Sequence, residues 1–301
     1  MKQDFPKLGI ALLCRLFGKT RHAYYDSVWR KTQSSIKEDI ILQEVLAIRE
    51  QLPRLGARKL HFLLEPRLYA HNITIGRDFL FELLAAHNLL IRQRTRKAVT
   101  TNSRHWMRKY SNLIRDLDVS RPEQVWVSDI TYIRILNQWG YLSLITDAYS
   151  RKIMGFNLRM DLTAQGCIEA LQMALNNRLY NEPLIHHSDR GSQYCSQPYV
   201  ALLLANQIAI SMTENGDPYE NSIAERINGI IKTEFNLHSS HLGFEKTIEV
   251  IIRTINSYNN LRPHASCDYL TPEQAHLKTN SLKKRWKNYR KYNPKLTVMS
   301  F

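Results

Sequence analysis

The sequence predicts a mixed α/β fold preceded by a helical region, and three observations lead to that prediction. The first third of the 301-residue chain carries apolar residues at helical spacing. Residues 124–160 change to β-rich segments separated by turn residues, as in an antiparallel meander. Helical and extended segments then alternate, which is typical of a sheet with helices on its faces.

The helical region divides into two pairs of helices. Gly18 interrupts the first pair, and Thr20 is expected to cap the next helix. A separate, longer helix is expected over residues 37–52. The second pair occupies residues 56–66 and 74–90, where Thr74 is the expected cap. Each pair has the outline of a helix-turn-helix, although many short helix pairs bind nothing.

The remaining elements follow in the order β-β-β-α-β-α-β-α-α. In this topology the first strand is central and the fourth strand lies beside it. Thr163 is expected to begin the first helix of this part. The predicted ranges are strands at 124–136, 141–149, 151–160, 184–189 and 208–213, and helices at 164–179, 197–207, 220–236 and 243–260.

Charge is unevenly distributed along the chain. The net charge is +15 and the pI is about 9.7. Residues 1–120 carry a net +11, residues 121–276 a net −4, and residues 277–301 hold eight basic residues and no acidic one. Basic segments around an acidic middle favour a polyanionic partner, of which nucleic acid is the most common.

Other features of the composition exclude several classes of protein. No apolar run reaches the length of a transmembrane helix, so we expect no membrane partner. The four cysteines are scattered, without the paired spacing of a zinc or redox motif. No signal peptide is evident, and we therefore expect reduced thiols in a cytosolic protein.

Basic residues in two places are candidate DNA contacts. Arg58, Lys59 and Arg77 lie near helix starts in the second helix pair. Residues 91–112 hold seven basic residues, no acidic one and no steady period, which indicates a basic linker that tracks phosphates or stays solvated. The candidates in that linker are Arg92, Arg94, Arg96 and Lys97.

Three acidic residues lie where a carboxylate is expected to have a function. Asp129 lies inside an apolar strand, where an ionised carboxylate is costly unless it is paired or bound to metal. Asp189 follows the fourth strand, at the end of the sheet where ligands commonly bind. Glu225 lies on the helix 220–236, with Lys232 nearly two turns later on the same side. Asp147, at a strand end, is interpreted as a solvated carboxylate.

The predicted topology allows these three acids to converge. Like charges so close would raise one another's pKa unless cations lie among them. Mg²⁺ is the expected cation because it prefers oxygen ligands, and Mn²⁺ is the alternative. Two such ions about 4 Å apart would support in-line phosphoryl transfer.

Four sequence motifs extend this interpretation to a family. The segments "WVSDITYI", "HHSDRGSQY", "ENSIAERINGIIKTEF" and "YNNLRPHASCDYLTPEQA" resemble the IS-three family of insertion-sequence transposases, in its OrfB-type product with a retroviral-integrase-like core. Asp189 and Glu225 are separated by 35 residues, as in the family's D–D–(35)–E pattern, and Lys232 also matches. The resemblance extends from about Leu16 to Glu273.

The resemblance implies a fold, an activity and roles for residues. The fold would be RNase H-like, with Asp129, Asp189 and Glu225 as catalytic metal ligands and Lys232 in contact with DNA. Arg262, in the matching "YNNLRPH" segment, is a candidate DNA contact, with packing as the alternative. The activity would be metal-dependent cleavage of DNA and strand transfer, which integrates the element into target DNA.

The resemblance also implies partners and a location. The expected partners are the element's terminal inverted repeats, target DNA and a second copy of the chain, since a dimer would hold two ends. An OrfA segment is a further expected partner or fusion. The expected location is the cytoplasm of a bacterium, in association with the nucleoid.

These observations together predict four regions. A helical DNA-binding region is expected over residues 1–90, a basic linker over 91–120, an RNase H-like catalytic core over 121–276 and a basic tail over 277–301. Two other functions stay open on the sequence alone. One is an RNase H-like nuclease that cuts without joining, and the other is a DNA-binding regulator with an inactive core.

Overall fold

The computed structural model describes residues 6–91, 106–214, 220–278 and 281–283. The chain forms two compact units, one of Met1–Gln51 with Leu55–Gln93 and one of Leu52–Arg54 with Arg94–Phe301. The helices are α1 (Ile10–Leu16), α2 (Arg21–Gln51), α3 (Ala57–Tyr69), α4 (Arg77–Ala86), α5 (Ala164–Asn176), α6 (Gln197–Ala205), α7 (Ser222–Glu234), α8 (Phe244–Leu261) and α9 (Pro272–His276). The strands are β1 (Val125–Ile135), β2 (Gln138–Asp147), β3 (Ile153–Arg159), β4 (Ile185–Ser188), β5 (Ala209–Met212) and β6 (Ser239–Ser240).

The first unit is helical, as predicted, but two of its details differ from the prediction. Thr20 caps the start of α2, since its Oγ1 accepts the N–H of Ala23 at 3.1 Å. α2 then continues for 31 residues where two helices were expected, because no Gly or Pro interrupts it. The predicted cap at Thr74 is wrong, since α4 begins after Gly76 with no side-chain cap.

α3 and α4 form the expected second helix pair. Their contact is apolar, and the ring of His61 also bonds through Nε2 to the carbonyl of Ile75 at 3.0 Å, which ties α3 to the segment before α4. Residues 70–76 join the two helices. The fully buried side chains of the pair are Leu60, Leu64, Leu68, Leu80 and Leu84.

The second unit contains the mixed sheet. The strand order is β3-β2-β1-β4-β5; β2 is antiparallel to both β1 and β3, whereas β4 pairs in parallel with β1 and β5 pairs in parallel with β4. The predicted central strand and its predicted neighbour are therefore confirmed. The two-residue strand β6, which the sequence did not indicate, pairs with the far end of β1 at Arg134 and Ile135.

Helices cover both faces of the central strand. Trp126 packs in a cluster with side chains of α5 and α6, including Leu171 and Tyr199. Val125 and Val127, which point to the opposite face because strand residues alternate, pack in a cluster with Ala224 of α7. A strand covered on both faces has few polar positions, which explains the continuous apolar sequence around Asp129.

Asp147 is not solvated, contrary to the interpretation from the sequence. It is fully buried at the end of β2 and accepts hydrogen bonds from the N–H groups of Glu123, at 2.9 Å, and Ser150, at 2.8 Å. The ring of His276 in α9 lies between Asp147 and Glu123. Burial opposes protonation of this ring, but hydrogen bonds with both carboxylates raise the pKa of His276. These buried polar contacts fasten α9 to the sheet.

No helix in the part of the chain that the structure describes is long and apolar enough to cross a membrane.

Asn259 of α8 provides a test of how β3 is anchored. Its Oδ1 accepts the N–H of Ile153 and its Nδ2 donates to the carbonyl of Ile153, both at 3.0 Å. Asn259→Ala leaves both backbone groups unpaired, so we expect the free energy of unfolding to fall by about 2–4 kcal/mol. The measurement is urea denaturation.

The neighbouring Asn260→Ala is the matched control. The Asn260 side chain is exposed and bonds only to the carbonyl of Asn256 within α8, so its loss is expected to change the free energy of unfolding by less than about 0.5 kcal/mol. Similar small effects of both substitutions would contradict the anchoring role of Asn259.

Candidate active site

Parallel pairing of β1 with β4 places Asp129 and Asp189 side by side. The last paired residues are Val127 and His187, and each aspartate lies two residues farther along its chain. Side chains two residues apart on a strand point to the same face. The two carboxylates therefore lie at neighbouring positions of the sheet, Asp129 within β1 and Asp189 directly after the end of β4, as the predicted topology allows.

α7 carries Glu225 to the same place. Asn221, before its first turn, donates from Nδ2 to the carbonyl of Ser128 at 3.0 Å, and Asn228 donates from Nδ2 to Oδ2 of Asp129 at 2.8 Å. Glu225 lies four residues after the first amide and three before the second, so all three side chains share one side of the helix. That side is directed at β1 and the acids beside it.

The three carboxylates act on one another electrostatically. Burial raises the pKa of Asp129 to about 7, with further contributions from the charges of Asp189 and Glu225, although hydrogen bonds from Asn228 and the Ile130 N–H oppose the rise. Burial and the charge of Asp189 also raise the pKa of the more exposed Glu225. A group of acids that destabilise one another's charge is suited to binding a cation.

The donor atoms fit a hard divalent cation, because all of them are carboxylate oxygens. Within the described ranges, however, no group of three or more His, Cys, Asp or Glu side chains is arranged to hold a metal ion. Asp129 is held by hydrogen bonds, since its Oδ1 accepts the Ile130 N–H at 2.9 Å and its Oδ2 accepts from Asn228. Asp189 is similarly held, by the N–H of Gly191 at 3.0 Å.

Two buried histidines in β4 hold the strand that directly precedes Asp189. Nε2 of His186 contacts Ser128 Oγ at 2.7 Å and Tyr199 OH at 2.8 Å, and Nδ1 of His187 contacts Ser211 Oγ at 2.8 Å. Burial lowers the pKa of His186 to about 3 and that of His187 to about 4, so both rings are neutral at pH 7. Their contacts fix β4 between β1 and β5.

Lys232 lies close to the acids. Burial lowers its pKa, and the charge of Asp129 partly offsets that effect. The Lys232 residue is partly buried, in contrast to a fully exposed surface lysine. Its position is compatible with the predicted contact to DNA beside the carboxylates.

The structure contradicts the prediction that Arg262 binds DNA. The side chain is only 1% exposed, and its Nε and Nη2 form a bidentate pair with Glu234 at 2.7 Å each. Its Nη1 contacts His264 Nε2 at 2.7 Å, and its guanidinium lies 5.8 Å from the ring centre of Tyr258. The guanidinium is buried and each of its three nitrogens has a partner inside the protein, so the structure favours the alternative of packing.

Three of the other candidate DNA contacts lie in the first unit. Arg58 and Lys59 are in the first turn of α3, and Arg58 is exposed. Arg77 is the first residue of α4, where Asp78 accepts a hydrogen bond from its Nε at 2.9 Å. The linker candidates Arg92, Arg94, Arg96 and Lys97 lie outside the described residues.

Sequence reasoning missed the two asparagines that orient α7. Asn221 and Asn228 are seven residues apart, and Glu225 lies between them on the same side of the helix. That spacing was a visible signal, since three polar residues on one side of a helix at its buried boundary indicate a common target. Their partners on β1 could not be read from the helix alone.

The chain is similar to known proteins over most of its length. One integrase core domain family matches residues 119–218 and a second matches residues 206–272. The insertion element IS600 uncharacterized 31 kDa protein of Shigella sonnei is 31% identical over 264 residues, which cover 86% of this chain and 96% of that protein. Transposase InsF for insertion sequence IS3A of Escherichia coli (strain K12) is 30% identical over 279 residues, covering 89% of this chain and 94% of that protein. The chain belongs to the IS-three family of insertion-sequence transposases.

Membership of the IS-three family defines the class of enzyme. The chain is a transposase of the DDE type, a polynucleotidyl transferase, and the order of its sheet is that of an RNase H-like integrase core. Transposases of this type bind DNA, act as oligomers and generally use a divalent metal. The HTLV-2 integrase catalytic core in complex with magnesium is similar to 52% of this chain and 97% of that chain, at 23% identity and a TM-score of 0.43.

Asp129→Asn tests the electrostatic cost of the site. The folded-state pKa of about 7 exceeds the ordinary value of 3.8, so ionisation of Asp129 destabilises the fold. The penalty is absent below pH 3.8, grows as the pH rises and is complete above about pH 7. In EDTA at pH 8 we expect Asp129→Asn to raise the free energy of unfolding by about 1–3 kcal/mol.

Chemical denaturation at pH 4 and pH 8 measures this difference. The gain should shrink toward zero at pH 4, and the exposed Asp116→Asn should show little change at either pH. A destabilising effect of Asp129→Asn at pH 8 in EDTA would contradict the account.

Proposed function

We propose that Asp129, Asp189 and Glu225 form the catalytic centre of this transposase and hold two Mg²⁺ ions, with Mn²⁺ as an alternative. The observation that carries the proposal is the convergence of the three elements, since β1 pairs with β4 next to the two aspartates and Asn228 of α7, three residues after Glu225, bonds Asp129. Burial is the main cause of the raised pKa of Asp129, and the charges of Asp189 and Glu225 add to it. Mutual repulsion of this kind is offset when divalent cations share the carboxylates.

The residues around the acids prepare them for that role. Asn228 and the Ile130 N–H engage both oxygens of Asp129, and the Gly191 N–H holds one oxygen of Asp189. Ligands whose orientation is fixed in advance lose little freedom on binding. The bound ions would supply an activated oxygen nucleophile and stabilise the leaving oxygen of an in-line phosphoryl transfer.

The reaction proceeds in two transfers at phosphorus. In the first, water attacks a phosphodiester at the element's end, a new P–O bond forms, and the bond to the 3′-oxygen breaks to release a 3′-hydroxyl. In the second, that 3′-hydroxyl attacks a phosphodiester of target DNA, and a 3′-hydroxyl of the target leaves. Lys232 binds the phosphate beside the reacting bond, since this partly buried lysine is near enough to Asp129 for their charges to interact.

DNA outside the catalytic centre is bound by the basic first third of the chain. Arg58, Lys59 and Arg77 bind the terminal inverted repeats from the helical unit, and the basic linker contacts phosphates. A dimer holds two ends, and an OrfA segment acts as a fusion or partner. The site of action is the bacterial nucleoid in the cytoplasm.

A strand-transfer assay on DNA with the element's terminal repeats tests the catalytic centre. We expect joined products with Mg²⁺ and none with EDTA. Glu225→Gln removes one charged ligand and should lower the rate by at least about 100-fold, while DNA binding measured in EDTA is unchanged. Glu245→Gln is the matched control, since Glu245 is an exposed glutamate in the first turn of α8.

The products distinguish the competing functions. Hydrolysis without joining would favour a nuclease, and full activity of Glu225→Gln would refute the assignment of the acids. Binding without any product would favour either an inactive core or a requirement for the OrfA segment. Repeating the assay with that segment fused separates these two results.

A further inference from the structure

A second set of polar contacts holds the beginning of α7, away from the acids. Asn112 and Arg115 contact two glutamates, Glu214 just after β5 and Glu220 just before α7. We call these four residues the α7 clamp. All four belong to the second unit, and none of them is among the proposed metal ligands.

The clamp is densely connected. The N–H of Asn112 donates to Glu214 Oε1 at 3.0 Å, and its Nδ2 donates to Glu220 Oε1 at 3.2 Å. Nη2 of Arg115 pairs with Glu214 and lies 3.4 Å from Glu220 Oε1. The glutamates are also joined directly, since the N–H of Glu214 donates to Glu220 Oε2 at 2.7 Å. One guanidinium thus holds two carboxylates that would otherwise repel each other.

Backbone contacts dock the same segment on β5. The N–H of Met212 donates to the carbonyl of Ser111 at 3.3 Å, and the N–H of Leu113 donates to Ser211 Oγ at 2.9 Å. Residues 111–115 are therefore fixed to the catalytic unit, although they lie within the range predicted as a basic linker. The C-terminal part of the predicted linker is therefore bonded to β5.

A short path leads from the clamp to the catalytic acid. Glu220 is followed by Asn221, whose side chain bonds the Ser128 carbonyl next to Asp129. The carbonyl of Asn221 accepts the N–H of Glu225 at 3.2 Å, in the first turn of α7. A shift of Glu220 would therefore move the backbone that carries Glu225.

Apolar packing and the polar clamp act together in this region. Leu117 of the segment and Ile223 of α7 pack against the buried cluster that contains Val127 of β1 and Ala224 of α7. A cleft of about 460 Å³ also lies between residues 112–119, β1 and the start of α7, and three residues of the clamp line it. The apolar contacts therefore bring the segment to α7, and the clamp adds hydrogen bonds of defined direction.

Opposite charges stabilise the contacts of the α7 clamp. The charge of Glu214, and the hydrogen bonds that Arg115 donates to both glutamates, raise the pKa of Arg115. The hydrogen bond from the Asn112 N–H and the charge of Arg115 lower the pKa of Glu214. All of these contacts are strongest when Arg115 and Glu214 are ionised, as they are at neutral pH.

We propose that Arg115 and Asn112 are positioning residues for catalysis, which hold the first turn of α7 so that Glu225 lies beside Asp129 and Asp189. The inference rests on the proposed function, because the clamp acts through Glu225. The clamp residues affect catalysis in this proposal although they bind neither the metal ions nor the reacting phosphate.

Arg115→Ala in the full chain tests the proposal. We expect the turnover of strand transfer to fall about 10- to 100-fold, because a displacement of Glu225 by about 1 Å is sufficient for such a loss. The Mg²⁺ concentration for half-maximal rate should rise, while the Kd for end DNA in EDTA stays unchanged. Arg115→Lys should restore part of the turnover.

Arg121→Ala is the matched control. Arg121 pairs with Glu182 at 2.8 Å, and Glu182 lies on the segment that precedes β4, so its loss removes an ion pair that has no link to α7. We expect normal turnover and a normal Mg²⁺ requirement for this variant. Wild-type turnover and Mg²⁺ requirement in Arg115→Ala would overturn the proposal.

Hydrogen exchange separates failure of the clamp from failure of the proposed function. The amides of residues 222–226 should exchange faster in Arg115→Ala and at the wild-type rate in Arg121→Ala, whether or not the protein is active. If the wild-type protein gives no product even with the OrfA segment fused, or if Glu225→Gln is active, the proposed function fails. The exchange measurement still decides in that case whether the clamp holds α7. Unchanged exchange would overturn the clamp.

A charge exchange covers the case in which Arg115→Ala does not fold. Arg115→Glu combined with Glu214→Arg restores an opposite-charge pair at the same place. If this double variant folds, it should recover slow exchange and at least part of the turnover relative to Arg115→Glu alone. A folded double variant with slow exchange but no recovery of turnover would overturn the catalytic role.

Discussion

A carboxylate in a strand covered on both faces is the constraint on which the structure depends. β1 is apolar because helices cover both of its faces, yet it carries Asp129. A buried charge needs partners, and here hydrogen bonds from Asn228 and the Ile130 N–H supply part of the stabilisation. The neighbouring acids increase the cost instead of reducing it. The fold therefore tolerates an electrostatic penalty at this site, which the proposed divalent cations would offset.

α7 connects this site to the rest of the unit, and polar contacts fasten it along its whole length. The clamp holds Glu220 before its first turn, and Asn228 bonds Asp129 near its middle. At its last residue, Glu234 forms the bidentate pair with the buried Arg262. Apolar residues on the helix supply the packing energy but tolerate small rotations, whereas hydrogen bonds of defined direction do not. The buried Arg262 thus has a structural role, since it holds the end of α7 through Glu234.

The elements that local pattern determines were predictable, and the contacts between distant residues were not. The order of the strands gave β1 as the central strand and β4 as its neighbour, and this placed Asp129 and Asp189 together. Arg262 was misassigned because an arginine is buried only when a partner is present, and Glu234 is 28 positions away. Asn112 of the clamp finds its glutamate 102 positions away, so no local pattern reveals it. α2 was divided in two because its apolar spacing is irregular, although its residues all permit a continuous helix.

Anomalous diffraction from Mn²⁺-containing crystals of the full chain bound to an element end is the most direct test of the central claim. The account predicts anomalous peaks within coordination distance of carboxylate oxygens of Asp129 and Asp189, with Glu225 completing the site. The same crystals of Glu225→Gln should lose or weaken at least one peak. Peaks elsewhere in the unit, or peaks at Asp129 and Asp189 that are unaffected by Glu225→Gln, would contradict a three-acid metal centre.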